Sequence, residues 1–218
     1  MVIPQNPPTD FHFCRAGRLN WFNQKRLPAS QKSKVSLPQS QNFIDLNKER
    51  EIISFFCKVS KDKIKPIKEL IPIVRDLQSE GRRVALTNGC FDLIHPGHVH
   101  LLNEARRLAD CLVVAINTDD SLRSIKGDKR PLVGLKQRLG IISSFQMVDY
   151  VTSFEQDTPE DIIRQIRPDI LVKGGEYSMD EIVGRQIVWD TGGEVVQISP
   201  LEGRSTSAII EEIISRFK

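Results

Sequence analysis

The sequence predicts an α/β domain with a doubly wound, mostly parallel five-stranded sheet and helices on both faces, plus a disordered N-terminal extension. Three observations predict it. Short apolar runs, partly β-branched, alternate with helical patterning from Ile64 onward; each run has strand length; and residues 1 to about 42 hold five of the twelve prolines with no sustained period.

Taken in order, residues 1–58 read as a poorly ordered basic leader. Its aromatics Phe11, Phe13, Trp21 and Phe22 exceed what a plain linker carries, so a docking segment is a second reading. A third is a start assigned too early, because Val59 opens VSKDKIKP where patterning begins and a valine codon can start translation. The folded domain is expected over residues 59–218. Ile67, Leu70, Ile71, Val74 and Leu77 recur at three- and four-residue spacing up to Gly81, the mark of an amphipathic helix with a glycine stop. Strands are expected at Val84–Thr87, Leu112–Ile116, Asp149–Thr152, Ile170–Val172 and Val195–Ile198. The helical stretches between and after them run near Gly97–Ala109, Gly134–Phe145, Pro159–Ile166, Asp180–Trp189 and Thr206–Phe217. Such βαβ units bind ligands outside the carboxyl ends of the strands.

Composition narrows the function. The 218 residues are 39% hydrophobic and 27% charged, as in an ordinary globular protein. No run approaches the roughly 18 apolar residues of a membrane span, and the N-terminus lacks the apolar centre of a secretory signal, so the expected address is cytoplasmic. The net charge of +3 belongs to the leader. Residues 1–58 hold nine Lys or Arg against four Asp or Glu, whereas residues 59–218 hold 22 against 24. The domain therefore lacks the basic excess of a nucleic-acid binder. Cys14, Cys57, Cys90 and Cys111 stand apart, which argues against a zinc site or a disulfide framework.

The densest chemistry follows the first strand, in Thr87-Asn88-Gly89-Cys90-Phe91-Asp92-Leu93-Ile94-His95-Pro96-Gly97-His98. Gly89 suits a turn with close backbone approach, and Pro96 suits the first helical turn. His98 then lies near a helix N-terminus, where free N–H groups and the dipole favour an anion. Two histidines three apart also suit a metal, but no further His, Cys or carboxylate completes a zinc set. His100 is read as scaffold.

The pattern T-x-G-x-F-D-x-x-H-x-G-H resembles the signature of the HxGH nucleotidyltransferases, a Rossmann-like, cytidylyltransferase-like family that transfers a nucleoside monophosphate to a phosphate-bearing acceptor. The resemblance spans roughly residues 59–218. Through Lys126-Gly127-Asp128 with Arg130-Pro131, and Val172-Lys173-Gly174-Gly175-Glu176-Tyr177, the chain is most similar to the adenylyltransferases that make ADP-heptose from ATP and D-glycero-β-D-manno-heptose 1-phosphate, for lipopolysaccharide core. Glycerol 3-phosphate with CTP, or flavin mononucleotide with ATP, are the alternative substrate pairs, and a catalytically silent domain that binds nucleotide and recruits partners is a further reading. The chain departs from the cytidylyltransferases near its end, where Leu201 replaces their Arg and Arg204 is a partial substitute. The bifunctional relatives carry a sugar kinase ahead of this domain; 58 residues are too few for one, so that step is expected on another chain.

The resemblance implies roles. His95, His98 and Lys126 would be catalytic. Thr87, Gly89, Cys90, Phe91, Lys173, Gly174, Gly175, Ser205 and Thr206 would bind nucleotide, and Asp119 and Arg138 would hold the acceptor's hydroxyls and phosphate. Mg²⁺ would accompany ATP, held mainly by phosphate oxygens and water, with Asp92 either orienting its loop or touching the metal through water. The partners implied are small molecules, with neither nucleic acid nor membrane, and a homodimer or larger homo-oligomer. Each polar residue also has a plainer reading as a cap, a turn or a solvated charge.

Overall fold

A computed structural model of the chain describes residues 62–176, 178–201 and 205–217. The leader, Tyr177 and the Gly203-Arg204 pair lie outside the described residues. Five strands form one sheet: β1 (Val84–Gly89), β2 (Cys111–Asn117), β3 (Tyr150–Phe154), β4 (Ile170–Gly174) and β5 (Glu194–Ile198). All neighbours pair parallel, in the order β3-β2-β1-β4-β5. The winding direction therefore reverses between β1 and β4, the place where such sheets open a crevice.

Both faces of the sheet are covered, which explains why β2 is buried at all seven positions instead of alternating. On one face, Val84, Leu86, Val113 and Leu171 pack with α1 (Ile67–Ser79), α5 (Glu160–Ile166) and α6 (Arg185–Asp190). On the other, Ala85, Leu112, Val114 and Val172 pack with α2 (Pro96–Arg107) and α4 (Leu135–Ser143). The two-residue alternation of β1 between these cores fixes its register.

Two elements differ from the sequence expectation. Asp119–Lys126 forms an additional helix, α3. Its signals are local: the Thr118 hydroxyl accepts from Ser121 N–H at 3.4 Å, Asp119 and Asp120 open it, Arg123 and Lys126 close it, and Gly127 leaves at φ 86°. That order of charge matches the helix dipole. The expected helix over Asp180–Trp189 is instead a 3₁₀ turn, Met179–Glu181, and α6. Gly184 separates them at φ 86°, where a β-carbon would lie 2.4 Å from Ile163 Cδ1. The last helix, α7 (Thr206–Arg216), buries none of its residues and starts under a Ser205 cap, whose hydroxyl accepts from Ala208 N–H at 3.1 Å.

Candidate functional site

A cleft of about 610 Å³ opens at the carboxyl ends of the strands. Its floor is the end of β1. Gly89 lets the Phe91 ring lie where a side chain would stand, 3.2 Å from the position of a β-carbon. Phe91 itself adopts φ 47°, a left-handed conformation that costs a non-glycine residue about 1 kcal/mol or more. Strain of that kind concentrates at functional turns.

Pro96 starts α2, with His95 as its cap residue in extended conformation. The His95 backbone N–H donates to His98 Nδ1 at 3.4 Å, so a neutral His98 carries its proton on Nε2. The His95 and His98 rings stack at 3.8 Å between centroids, and Phe91 lies 5.2 Å from His98. Burial, with His95 beside it, pushes the His98 pKa down to about 4, and burial lowers His95 as well. Both imidazoles are thus neutral donors at neutral pH. His95 Nδ1 is buried and has no partner among the described residues.

Across the crevice, β4 brings Lys173 and Gly174 into the same cleft. Lys173 Nζ donates to the Asn88 side-chain oxygen, and among the described residues it pairs with no carboxylate. Burial without a counter-charge lowers its pKa to about 8. Gly174 keeps the wall thin, since a β-carbon there would meet Leu101 at 3.1 Å. Lys126 at the end of α3, and Ser205 and Thr206 at the start of α7, complete the polar lining. An adjoining hollow of about 160 Å³, between Leu101, Gly175 and Ile198–Leu201, shares His95 and His98 with the main cleft.

The structure therefore brings together His95, His98, Lys126, Gly89, Cys90, Phe91, Lys173, Gly174, Ser205 and Thr206. Gly175 lines only the adjoining hollow. Three expected residues are corrected. Thr87 is fully buried in the middle of the sheet, between Val114 and Val172, and its hydroxyl meets no partner among the described residues. Arg138 is fully buried, donating to Val133 O at 2.9 Å, Cys90 O at 2.7 Å and Asp119 Oδ1 at 2.6 Å. Neither Arg138 nor Asp119 lines the cleft. Asp119 accepts from Leu135 N–H as well; burial works to raise its pKa, but these bonds and the Arg138 charge hold it below the ordinary carboxylate value. Arg138 is a latch that joins the segments at Cys90 and Val133 to Asp119 at the start of α3, and it presents no surface to the cleft.

Asp92 resolves toward orienting its loop. Its carboxylate, fully buried, accepts from Arg130 Nε at 2.6 Å, Leu132 N–H at 2.9 Å and Val133 N–H at 2.8 Å. With both oxygens engaged it does not fit a metal ligand. Among the described residues no group of three His, Cys, Asp or Glu is placed to hold a metal ion. Sequence reasoning missed Asn88, Asn117 and Asp157 in the cleft wall. Their signal was positional: each sits at or just beyond the carboxyl end of a strand.

Neutral histidines, and lysines that pair with no carboxylate among the described residues, at a switch point suit chemistry on the phosphates of a nucleotide. The chain belongs to the cytidylyltransferase-like family, whose profile matches residues 86–212. Among curated relatives, a bifunctional protein HldE of Hydrogenovibrio crunogenus is 50% identical over 145 residues, 66% of this chain and 30% of that protein. Another HldE, of Citrifermentans bemidjiense, is 48% identical over 161 residues, 74% of this chain and 33% of that protein. The chain thus spans about a third of the length of the curated relatives it matches. A crystal structure of a lipopolysaccharide core biosynthesis protein from Thermoplasma volcanium is 26% identical with a TM-score of 0.48, over 56% of this chain and all of that one. No helix among the described residues is long and apolar enough to cross a membrane.

Proposed function

We propose that the domain over residues 59–218 transfers AMP from ATP to D-glycero-β-D-manno-heptose 1-phosphate, giving ADP-heptose and pyrophosphate for lipopolysaccharide core. The observation that carries this reading is the convergence of His95, His98, Lys126, Lys173 and the α7 start on one cleft at the winding reversal. The heptose itself is supported by the KGD-R-P and VKGGEY segments and by relatives of the HldE kind.

In the reaction an oxygen of the sugar 1-phosphate attacks the α-phosphorus of ATP. One P–O bond forms there, the bond to the bridging oxygen of the β-phosphate breaks, and pyrophosphate leaves. The nucleophile is already ionised, so this chain's residues have to align two anions and stabilise the charge on the phosphoryl oxygens. His98 Nε2–H and the His95 imidazole donate to those oxygens. Lys126 and Lys173 supply positive charge, and Ser205 and Thr206, with the free amides of the eleven-residue α7, receive the terminal phosphates. The apolar hollow beside Leu101 and Gly175 suits the flat base. A Mg²⁺ ion arriving on the ATP phosphates would neutralise part of their charge.

Lys173 gives the reading a pH dependence. It is cationic below about 8 and neutral above, so attraction for the triphosphate is present at neutral pH and lost as pH rises through 8. The kcat/KM for ATP is expected to fall along that limb, and Lys173→Met to show a low, flat profile there. An unchanged limb in the variant would assign it elsewhere.

The reading itself is tested by pyrophosphate release with Mg²⁺, crossing ATP and CTP against heptose 1-phosphate, glycerol 3-phosphate and flavin mononucleotide. Release with ATP and heptose 1-phosphate alone is expected. Release with another pair would discard the sugar assignment.

A further inference from the structure

With Asp119 and Arg138 bound to each other away from the cleft, acceptor recognition needs another wall. The cleft runs across the sheet in a definite order. Its middle lies at the end of β1 with the two histidines; one arm lies over β4 and joins the apolar hollow by β5; the other reaches the ends of β2 and β3. The first arm offers flat, apolar contact. The second carries the polar side chains Asn117 and Asp157, which the nucleotide assignment does not use.

We propose that this second arm is the acceptor pocket, and that Asn117 and Asp157 select a hydroxyl-rich phosphate ester as the acceptor, a deeper statement that rests on the nucleotidyl-transfer reading. Asn117 ends β2 and is 4% exposed. Its Nδ2 donates to Ser121 Oγ at 2.9 Å, and Ser121 Oγ donates in turn to Gln156 O at 2.8 Å. The amide is thereby held in one orientation, which leaves its carbonyl oxygen as an acceptor for a ligand in the cleft. Asp157, just past β3, is held by Ser124 Oγ–H at 3.0 Å and lines the same arm. Both groups accept hydrogen bonds, and hydroxyl groups are what donate to them.

Charge sets the orientation. A carboxylate repels phosphate, so the ester's phosphate must turn away from Asp157 toward Lys126 and the histidines, which is where attack on the nucleotide takes place. The lining also speaks against other acceptor classes. Among its described residues the only phenyl, indole or phenol ring is Phe91, which is 2% exposed and packed on Gly89 and His98. A flavin ring or a quaternary ammonium finds no open aromatic face in this arm.

The test is steady-state kinetics on the full chain with Asp157→Asn and Asn117→Asp, using heptose 1-phosphate and glycerol 3-phosphate as probes. For the acceptor that wild type uses, kcat/KM is expected to fall about tenfold in each variant, as for loss of a hydrogen bond to a charged or oriented acceptor. The KM for ATP should move less than twofold. Asp157 is exposed, so its variant reports binding even if Asn117→Asp disturbs the Ser121 network. Asp120→Asn, an exposed carboxylate outside the cleft, is the control. An unchanged acceptor kcat/KM in Asp157→Asn, with heptose 1-phosphate turned over normally by wild type, overturns the pocket and leaves the proposed reaction standing. A tenfold loss measured on glycerol 3-phosphate alone discards the heptose and supports the pocket. Turnover of flavin mononucleotide alone overturns both.

Discussion

Replacing His98 by alanine is expected to lower kcat by about 10²-fold or more, near 2.7 kcal/mol of transition-state stabilisation, with little change in melting temperature. The size follows from the environment. His98 is neutral because burial and the neighbouring His95 hold its pKa near 4, and its Nδ1 is occupied by the His95 N–H, so one oriented donor remains. An oriented donor in the cleft would act on charge that develops only during transfer. His95→Ala should behave similarly, and the pair should fall short of additive because the stacked rings position each other. His98→Asn, which retains an N–H, should recover part of the loss. Single-turnover kinetics near wild type in both alanine variants would remove the histidines from the chemistry.

The second large effect is on stability. Arg138→Ala removes the donor for the Val133 and Cys90 carbonyls and the partner of Asp119, and empties a fully buried volume. Loss of such a group costs about 3 kcal/mol. The midpoint of thermal unfolding should drop by roughly 6–12 °C in a chain of this size. Arg138→Lys should recover little, because one ammonium cannot span three acceptors set around a planar fork. If Arg138→Lys instead kept its melting temperature and raised only the KM for the acceptor, the latch would be wrong and the phosphate role restored.

What was legible in the sequence divides along physical lines. The alternation of β-branched runs with three- and four-residue spacing located all five strands, because both faces of the sheet are buried and the runs stay apolar. The helix Asp119–Lys126 was missed although Thr118, the paired acids and Gly127 spell its ends; eight mostly polar residues carry too little periodicity to stand out. Gly184 broke the expected helix over Asp180–Trp189; the glycine stands in the sequence, but its positive φ and its close approach to Ile163 depend on long-range packing. The histidine turn was readable since it combines a strand end with residue types of narrow use. Arg138 was not, because an arginine looks alike in sequence whether it faces a ligand or three carbonyls. Thr87 was misplaced by its depth in the strand: it is paired on both sides within the sheet, between Val114 and Val172, whereas Gly89, two residues on along the same face, stands at the strand end and reaches the cleft.

The central strand β1 pairs with β2 some 27 residues later and with β4 some 85 residues later, a separation also spanned by the Lys173–Asn88 contact. Closing the longer loop costs entropy that local contacts do not repay. A nascent chain can assemble β1, α2 and β2 early, but the crevice has only one wall until β4 has been made and docked. The cleft is therefore completed late in folding, and under the proposed function a truncated or half-folded chain would lack one wall of its nucleotide site.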